Sequence, residues 1–385
     1  MQSVRLRPEG ELRGHAGIYL LTELEVALAG AASQRYFLPL AAAWGEENLA
    51  SGAPLLPYTL AKCRRGPAVG ALYDATHADG FARELLVAMR EARRIPLAEG
   101  EIRCRAGVRP DALDLPEDAP IRRLGGEQSN SSTLLGDQVI VKVYRRLEDG
   151  VHPELEVGRF LTEVAGYPNT PPLLGSVERI GPDGAATAYA AAFGFVANQG
   201  DGWTYTLDHL DRALEEIRHT PDEGRRPPQE QHELYLTVAR LMGRRTAELH
   251  QRARRRLDLT AELHRAFAIP TDDPAFAAEP IGPADLEAWI GDTRTQIERG
   301  FAMLEQLRRG AAEADAPRLE AVLELRPKAE AMLAELAAAP PAGLVKTRLH
   351  GDYHLGQVLV AKGDITILDF EGEPLHPLEA RRAKS

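Results

Sequence analysis

The sequence predicts an α+β chain in which a small β-rich lobe precedes a larger, mainly helical lobe. Short apolar runs that suit strands surround one amphipathic helix between residues 121 and 197. Helical periodicity then dominates from residue 204 to 340, and short β-rich runs return after residue 343. The Gly-containing segment NQGDGW (198–203) connects the two lobes. We therefore expect a bilobal molecule with a cleft beside this connection.

Composition and charge exclude several kinds of protein. The 385 residues can bury a large core, and the formal net charge of −11 argues against a nucleic-acid partner. No apolar run approaches the about 18 to 20 residues that span a bilayer, and residues 1–15 lack the apolar region of a signal peptide. Cys63 and Cys104 lack metal-ligand spacing and suit a reducing compartment. We expect a cytoplasmic protein with no membrane partner.

The chain divides into three predicted parts. Residues 1–115 mix strand-like runs with one amphipathic helix (78–93) and form an N-terminal cap subdomain. The proline-containing and acidic segment 109–124 is predicted to be a linker. Residues 116–200 form the small β-rich lobe, and residues 201–385 form the mainly helical lobe.

Within the small lobe, the pattern predicts an extended pair (121–147), a helix (152–165) and two further strands (173–180 and 187–197). In the helical lobe it predicts helices over 283–307 and 317–339, the latter broken near Pro327. At 343–352, 357–361 and 365–370 it predicts short strands, and KGD (362–364) forms a hairpin turn between the last two.

The stretch RLHGDYHLGQVLVAKGDITILDFEGEP (348–374) carries the acidic cluster. Phosphoryl transfer needs one carboxylate that accepts the proton of the attacking hydroxyl, plus a carboxylate and an amide or carboxylate that hold Mg²⁺. The positions of Asp352, Gln357 and Asp369 fit these roles, because a hairpin brings its two ends together. His350 is expected to bond the loop backbone, and His354 to face either the substrate or the loop.

Other chemistries fit this cluster less well. A glycosidase needs two facing carboxylates but no amide at a fixed offset. A zinc site that used His350 and His354 would lack the helical HExxH context.

A nucleotide site is predicted upstream of the acidic cluster. Only six of the 46 basic residues are lysines, yet Lys142 lies between Val141 and Val143 in a predicted strand. A buried lysine needs an anionic partner, for which we expect Glu156, with Glu154 and Glu163 as rivals. The Gly/Ser-rich turn LGGEQSNSST (124–133) would hold phosphates with its backbone N–H groups.

These segments resemble the protein-kinase-like small-molecule phosphotransferases, the group of aminoglycoside and choline kinases. HGDYHLGQ resembles their HGDxxxxN loop, with Gln in the Asn position, and LDFEGEP resembles their metal-binding strand end. Residues 120–385 are still more similar to maltokinases, which phosphorylate maltose at its anomeric hydroxyl with ATP. The similar segments are GGEQSNSS, VKVYRRLEDGVHPELEVGRFLTE, GFVANQGDGWTYTL, GRRTAELH, HGDYHLGQVL and ILDFEGEPLHPLEARRAK.

The resemblance implies a bilobal protein-kinase-like (aminoglycoside phosphotransferase-like) fold and a role for each matched position. Asp352 would deprotonate the maltose hydroxyl, and Gln357 and Asp369 would bind Mg²⁺. ATP would contact Lys142, Glu156, Gln128, Ser129, Asn130, Ser131, Ser132, Val196 and Asn198. The product would feed α-glucan synthesis, with trehalose synthase as a separate or fused partner. Since the family's helical lobe continues after the metal-binding strand, we expect this chain to lack its C-terminal helices.

The residues that read the sugar are less well specified by the sequence. The candidates lie near the segment DFEG (369–372), which we call the metal loop, or just past the connection between the lobes. They are His354, Glu371, Glu373, Arg381, Trp203 and Tyr205. For each of these residues, a structural role is the alternative interpretation. Two alternatives to a maltose kinase therefore stay open, namely a related sugar or amino-sugar kinase, such as a glucosamine kinase, and an inactive kinase-like interaction module.

Overall fold

The computed structural model describes residues 3–15, 17–30, 32–125, 130–219, 232–233, 235–240, 266–267, 269–310, 316–338, 345–374 and 376–384. The chain forms two compact units. The first contains residues 1–250, 257–266 and 350–383, and the second contains residues 251–256, 267–349 and 384–385. The positions of all site residues predicted from the sequence fall within the first unit.

The first unit contains an antiparallel sheet built mainly from the N-terminal region. Its strand order is β12-β3-β2-β4-β6-β5, with β1 paired to β2. The strands are β1 (Ser3–Gly14), β2 (Gly17–Ala27), β3 (Gln34–Phe37), β4 (Leu40–Trp44), β5 (Thr59–Arg65), β6 (Ala68–Asp74) and β12 (Arg146–Leu147).

A second antiparallel sheet of the same unit has the order β7-β8-β13-β14-β11-β10-β9. Two of its strands, β7 and β8, come from the predicted cap subdomain, so the cap and the small lobe share a sheet. The strands are β7 (Arg94–Pro96), β8 (Glu101–Ala106), β9 (Ile121–Leu124), β10 (Asn130–Leu135), β11 (Val139–Tyr144), β13 (Leu173–Ile180) and β14 (Ala186–Gly194).

Both sheets share one hydrophobic core with the predicted amphipathic helix, α1 (Asp79–Arg90). The helix buries Phe81 and Met89 against the sheets. Phe37 of the first sheet stacks on Tyr189 of the second, with ring centroids 4.2 Å apart. This shared core makes the two sheets a single packed body.

The segment 109–124, predicted to be a linker, packs against this core. Leu113 is 2 % exposed and Ala119 is 8 % exposed. The Arg83 guanidinium of α1 donates hydrogen bonds to the carbonyl oxygens of Pro116 and Ala119. The linker prediction is therefore wrong. The exposed prolines and acidic residues give the segment the composition of a linker, although apolar side chains such as Leu113 are buried.

The predicted helix over 152–165 begins as α2 (Pro153–Arg159) and ends in a π-helical turn, Phe160–Val164. Proline suits the first position of a helix, where no intrahelical N–H bond is lost. Leu155 packs with Tyr144 and Leu173 of the second sheet. These contacts place the first turn of α2 directly against β11.

Further helices in the described residues of the first unit are α3 (Gly202–His219) and the short α7 (Leu378–Arg381), and residues 235–240 are also helical. A separate hairpin consists of β17 (Val358–Ala361) and β18 (Asp364–Ile367). The helical prediction over 220–265 falls largely on residues outside those described. None of the helices in the described part of the chain combines the length and apolar character that crossing a bilayer requires.

The described residues of the second unit include three helices and one short strand pair. They are α4 (Pro283–Gly310), α5 (Ala316–Leu323), α6 (Arg326–Ala338), β15 (Glu279–Pro280) and β16 (Val345–Lys346). The predicted break near Pro327 is confirmed, since α5 ends before this residue and α6 begins at Arg326. Lys346 pairs with Asp285 at 2.8 Å.

Candidate active site

The β17–β18 hairpin holds the two predicted metal-binding side chains side by side. Its strands pair in register from Val358↔Ile367 to Ala361↔Asp364. Gln357 Nε2 donates to Asp369 Oδ2 at 3.3 Å. Gln357 comes directly before β17 and Asp369 comes shortly after β18. Both side chains therefore lie at the open end of the hairpin, as the spacing predicts.

The turn of this hairpin is the predicted KGD segment. Lys362 and Gly363 have φ values of 51° and 77°. Positive φ at both central residues is the combination found in type I′ turns, which match the twist of the flanking strands. The turn thereby sets the register, and a slip of one residue would separate Gln357 from Asp369.

Backbone hydrogen bonds hold the hairpin on both sides. The Gln199 N–H donates to the Val360 carbonyl at 2.9 Å, and the Val360 N–H donates to the Gly200 carbonyl at 3.1 Å. On the other strand, the Ile367 N–H donates to the Asn169 carbonyl at 2.8 Å. The connection after β14 is therefore joined directly to the hairpin that carries Gln357 and Asp369.

His350 holds the loop that presents Asp352. The His350 side chain is buried, and its Nε2 lies 2.7 Å from the Leu368 carbonyl oxygen, which can only accept. Its Nδ1 therefore lacks a proton and accepts the Asp352 N–H at 3.4 Å. Burial lowers the pKa of His350 and favours this neutral form. His350 thus has the backbone-bonding role expected for it.

The Asp352 carboxylate remains accessible to a substrate. Its side chain is 32 % exposed, and the His354 ring lies beside it, with Nε2 4.0 Å from Asp352 Oδ2. His354 itself is 56 % exposed. His354 therefore lies beside the Asp352 carboxylate, on the side open to solvent.

The loops that carry Asp352 and Asp369 touch through two glycines. A Cβ atom on Gly351, where φ is 86°, would lie 3.0 Å from the Gly372 Cα. Asp369 also has a positive φ, 58°, which is strained for a residue other than glycine. Such strain is retained where the surroundings demand one conformation, and it is frequent in functional sites.

Lys142 lies in the middle of β11 and is 5 % exposed. Its Nζ is 3.1 Å from Glu154, 2.7 Å from Glu371 and 3.4 Å from Asp369. The Tyr144 hydroxyl donates to Glu154 Oε2 at 2.6 Å. The strand and α2 thereby bring the predicted phosphate-binding lysine to the predicted metal-binding aspartate.

Glu156, predicted to pair with Lys142, has another partner. Residues two apart on a helix point about 200° apart, so only one of Glu154 and Glu156 can face β11. That residue is Glu154, which was a rival in the prediction. Glu156 instead accepts two hydrogen bonds from Arg382, at 2.6 and 2.9 Å.

Three carboxylates share the single Lys142 ammonium. Ligand oxygens of Glu154, Asp369 and Glu371 all lie within 4.8 Å of one another. Burial raises the pKa of Glu154 well above its usual range, although Lys142 acts against this effect. Burial also tends to raise the pKa of Glu371, but the ammonium outweighs it and lowers that pKa to about 2.

This charge distribution suits a further cation. The carboxylates carry more negative charge than one ammonium neutralises, and Asp369 lies against the Gln357 amide, whose oxygen is also a hard ligand. Carboxylate and amide oxygens are the donors that Mg²⁺ accepts. The donor set around Asp369 is therefore compatible with magnesium.

A cavity of about 750 Å³ opens beside these groups, a size typical of cofactor sites. Its apolar walls consist of Leu124, Ile140, Pro171, Phe193, Phe195, Val196, Leu359, Leu368 and Phe370. Its polar lining consists of Arg122, Ser132, Lys142, Glu154, Thr170, Asn198, Asp201, Gln357 and Asp369. The cavity thus combines apolar walls that can take a flat ring with polar side chains that can take charged groups.

Several of the predicted nucleotide contacts lie at this cavity. Ser132, Val196 and Asn198 line it. Ser131 is the neighbour of Ser132 on β10, whereas Asn130 at the start of that strand donates to Glu371 Oε1 at 3.2 Å. Gln128 and Ser129 lie outside the described residues.

Two of the predicted sugar contacts are engaged within the protein. Glu371 pairs with Lys142, and Arg381 donates to Glu148 at 2.9 Å with its side chain 6 % exposed. Their charged ends therefore have scaffold partners. Glu373 is half-buried beyond the metal loop.

The two aromatic candidates lie on the first turn of α3. Trp203 is 59 % exposed. Tyr205 stacks on Tyr235, with ring centroids 6.4 Å apart. Neither is among the residues that line the cavity in the described part of the chain.

Val196 was predicted among the apolar wall residues of the cavity, whereas the other apolar wall residues and Asp201 were not predicted from the sequence. Asp201 accepts hydrogen bonds from the N–H and the hydroxyl of Thr204, which makes it the cap of α3. An Asp followed three residues later by Thr is a recognisable cap pattern. Its place at the cavity depends on the pairing of Asp201 with Leu359, which no local signal reveals.

A family model of the phosphotransferase enzyme family (APH) matches residues 120–372, well over half of the chain. This range contains Lys142, Glu154, Asp352, Gln357 and Asp369. The chain belongs to the phosphotransferase enzyme family. The match supports the phosphotransferase resemblance of the sequence and does not distinguish maltokinases within it.

Two curated relatives are glucosamine kinases. The one from Streptacidiphilus jiangxiensis is 26 % identical over 315 residues, which cover 80 % of this chain and 58 % of the relative. The one from Mycolicibacterium smegmatis is 27 % identical over 256 residues, which cover 66 % and 52 %. The chain spans about half the length of the curated relatives it matches.

Solved structures of glucosamine kinase share the fold. A complex with glucosamine, ADP and inorganic phosphate aligns with 100 % of this chain and 70 % of its own, with a TM-score of 0.60 and 21 % identity. A second structure, crystal form A, aligns with 99 % of this chain and 68 % of its own, with a TM-score of 0.58 and 21 % identity. The predicted α+β kinase-like fold is confirmed.

Proposed function

We propose that this chain is a kinase that transfers the γ-phosphoryl group of ATP to a hydroxyl group of a sugar. The observation that carries the proposal is the meeting of Lys142, Asp369 and Gln357 at one cavity, beside the loop of Asp352. Phosphoryl transfer needs positioned charges rather than covalent chemistry by the protein. Each of these side chains has a task in such a reaction.

The cavity suits a nucleoside triphosphate. A purine fits between apolar walls such as Phe195 and Leu359, and the triphosphate fits the end where Lys142 lies. Lys142 is a compact positive charge, of the kind that binds phosphate oxygens. When phosphates arrive, they compete for the ammonium that Glu371 now holds at 2.7 Å.

Asp369 and the Gln357 amide oxygen would hold Mg²⁺, which when bound neutralises charge on the phosphates. The protein's part is to keep these two oxygen donors together. The hairpin register does so, and so does the hydrogen bond between the Leu368 N–H and the Gln357 carbonyl at 2.8 Å.

Asp352 is the group that takes the proton. The sugar hydroxyl oxygen forms a bond to the γ-phosphorus as the bond from that phosphorus to the ADP oxygen breaks, and the hydroxyl proton passes to an Asp352 carboxylate oxygen. The loop holds Asp352 through the His350 ring and the Gly351–Gly372 contact. Its partial exposure leaves room for the acceptor.

Glucosamine is the acceptor that the comparisons favour. The two curated relatives described above are glucosamine kinases, and so are the solved structures that align with TM-scores of 0.60 and 0.58. Maltose is the second candidate, because the ordered segments from GGEQSNSS to ILDFEGEPLHPLEARRAK resemble maltokinases. The phosphate-handling residues are the same for both sugars.

A panel of acceptors tests the proposal. The purified chain, ATP and Mg²⁺ are mixed separately with glucosamine, maltose and glucose, and ADP release and ³¹P spectra of the products are recorded. We expect the highest kcat/KM with glucosamine. Fastest turnover with maltose would support the second candidate instead. ATP binding without a phosphorylated sugar from any acceptor would contradict the kinase assignment and favour an interaction module.

A further inference from the structure

Two arginines near the C-terminus link the metal loop to helix α2. Arg381 ends α7, and its Nη2 donates to Glu148 Oε1 at 2.9 Å, just before α2. Arg382 follows, and its Nε and Nη2 donate to the two carboxylate oxygens of Glu156 on α2, at 2.9 and 2.6 Å. We call Arg381 and Arg382 the arginine strut.

The Arg382–Glu156 pair is shielded from solvent. The exposed fractions of the two side chains are 30 % and 12 %. A planar guanidinium that donates two hydrogen bonds to one carboxylate fixes both distance and orientation. The pair therefore restrains the direction of α2 as well as its distance from α7.

At its other end the strut lies against the metal loop. A Cβ atom on Gly372 would be 3.1 Å from the Arg381 Cβ, so the loop and the arginine stem are in close contact. On its far side Gly372 touches Gly351, the residue before Asp352. The loop that carries Asp352 thus contacts the metal loop, and the metal loop contacts the arginine strut.

Helix α2 relates the strut to the nucleotide cavity. Glu156 faces Arg382, whereas Glu154 faces Lys142 at 3.1 Å. Since the two glutamates belong to the same helical turn, a rotation of α2 that releases Arg382 also moves Glu154 relative to Lys142. Two arrangements of one packed element can couple sites that do not touch.

We propose that Arg382 is a positioning residue that, through Glu156 and α2, sets Lys142 for nucleotide binding. Arg382 acts through α2 and does not itself touch the nucleotide. This inference rests on the proposed function in one respect, namely that the cavity binds ATP.

The test compares Arg382→Gln with Arg145→Gln by calorimetric titration with MgATP. Arg145 is a matched control, because its Nη1 and Nη2 donate to the two carboxylate oxygens of Asp74 and the exposed fractions of the pair are 25 % and 13 %. We expect Arg382→Gln to raise the Kd for MgATP about tenfold and Arg145→Gln to leave it within about twofold. Glu156→Gln removes the same contact from the other side and replaces Arg382→Gln if that variant does not fold.

A double-variant cycle with Glu154→Ala separates positioning from general stability. If Arg382 acts through α2, Arg382→Gln adds little to the Kd once Glu154 is absent. Independent, multiplying effects would overturn the proposal, and so would equal Kd values for the Arg382→Gln and wild-type chains. Absence of MgATP binding by the wild-type chain would overturn the proposed function, and the strut proposal with it.

Discussion

Gly351 offers a direct test of how the two loops are held together. Replacement by alanine has two costs. The first is strain, because φ is 86° at this position, and a side chain in the left-handed region costs about 1–2 kcal/mol. The second is the approach to the Gly372 Cα at 3.0 Å, where backbone cannot yield as a flexible side chain can. Overpacking of this kind costs a further 1–3 kcal/mol, roughly.

Gly184 provides the matched control. Its φ is 84°, and a Cβ atom there would meet no atom within 4 Å. Gly184→Ala therefore has the strain without the close contact. We expect it to lower the free energy of unfolding by about 1–2 kcal/mol, with an unchanged kcat.

Gly351→Ala should lower the free energy of unfolding by about 2–5 kcal/mol and kcat by about 10²-fold, because a displacement of about 1 Å in Asp352 misaligns the proton acceptor. Urea unfolding at 25 °C gives the first quantity and steady-state kinetics with ATP give the second. Equal losses in the Gly351→Ala and Gly184→Ala variants would refute the argument that the two loops support each other through this contact.

Further predictions concern charge, pH and the hairpin turn. Lys142→Met leaves its three carboxylates without their ammonium and should raise the Kd for MgATP by about 10- to 100-fold in calorimetry; a change below threefold would contradict the assigned role. Burial lowers the pKa of His152 from 6.5 to about 4, so the unfolded chain takes up this proton first. The free energy of unfolding is therefore unaffected by this group above pH 6.5 and falls by about 3 kcal/mol towards pH 4 in urea titrations. His152→Gln should reduce that fall. Lys362→Asn, at φ 51°, should raise stability by about 0.4–1 kcal/mol, and an unchanged melting temperature would refute the turn assignment.

The acidic part of the candidate site is predictable from the sequence because it depends on local geometry. Asp352, Gln357 and Asp369 lie within one loop and one hairpin, and the turn that joins the strands has its own sequence signal. Lys142 can also be identified from the sequence, because a lysine between two valines is unusual in a chain with so few lysines. For Asp352, Gln357 and Asp369 the distances along the chain are short enough to fix the distances in space, whereas the contact of Lys142 with Asp369 joins residues 227 positions apart.

The partner of Lys142 was not predictable in the same way. Glu154 and Glu156 are equally polar, and which of them faces β11 depends on where α2 begins and how it packs. Pro153 begins the helix, and the burial of Leu155 then determines its rotation. The prediction of Glu156 failed because the sequence alone does not reveal this rotation.

Long-range contacts account for the other differences. Segment 109–124 has the composition of a linker, yet Leu113 lies in the core shared by the two sheets. Arg382 is 226 positions from Glu156 and carries no local sign of a partner. Such contacts depend on the assembled fold.

The measurement that tests the central claim most directly is the turnover of an Asp352→Asn variant with ATP, Mg²⁺ and glucosamine. We expect kcat to fall by about 10²- to 10⁴-fold while the Kd for MgATP stays within about threefold, because Asp352 is the proposed proton acceptor and is not among the described residues that line the proposed nucleotide cavity. Asp183→Asn, in an exposed turn, is the control and should retain full activity. An Asp352→Asn variant that keeps wild-type turnover would contradict the account.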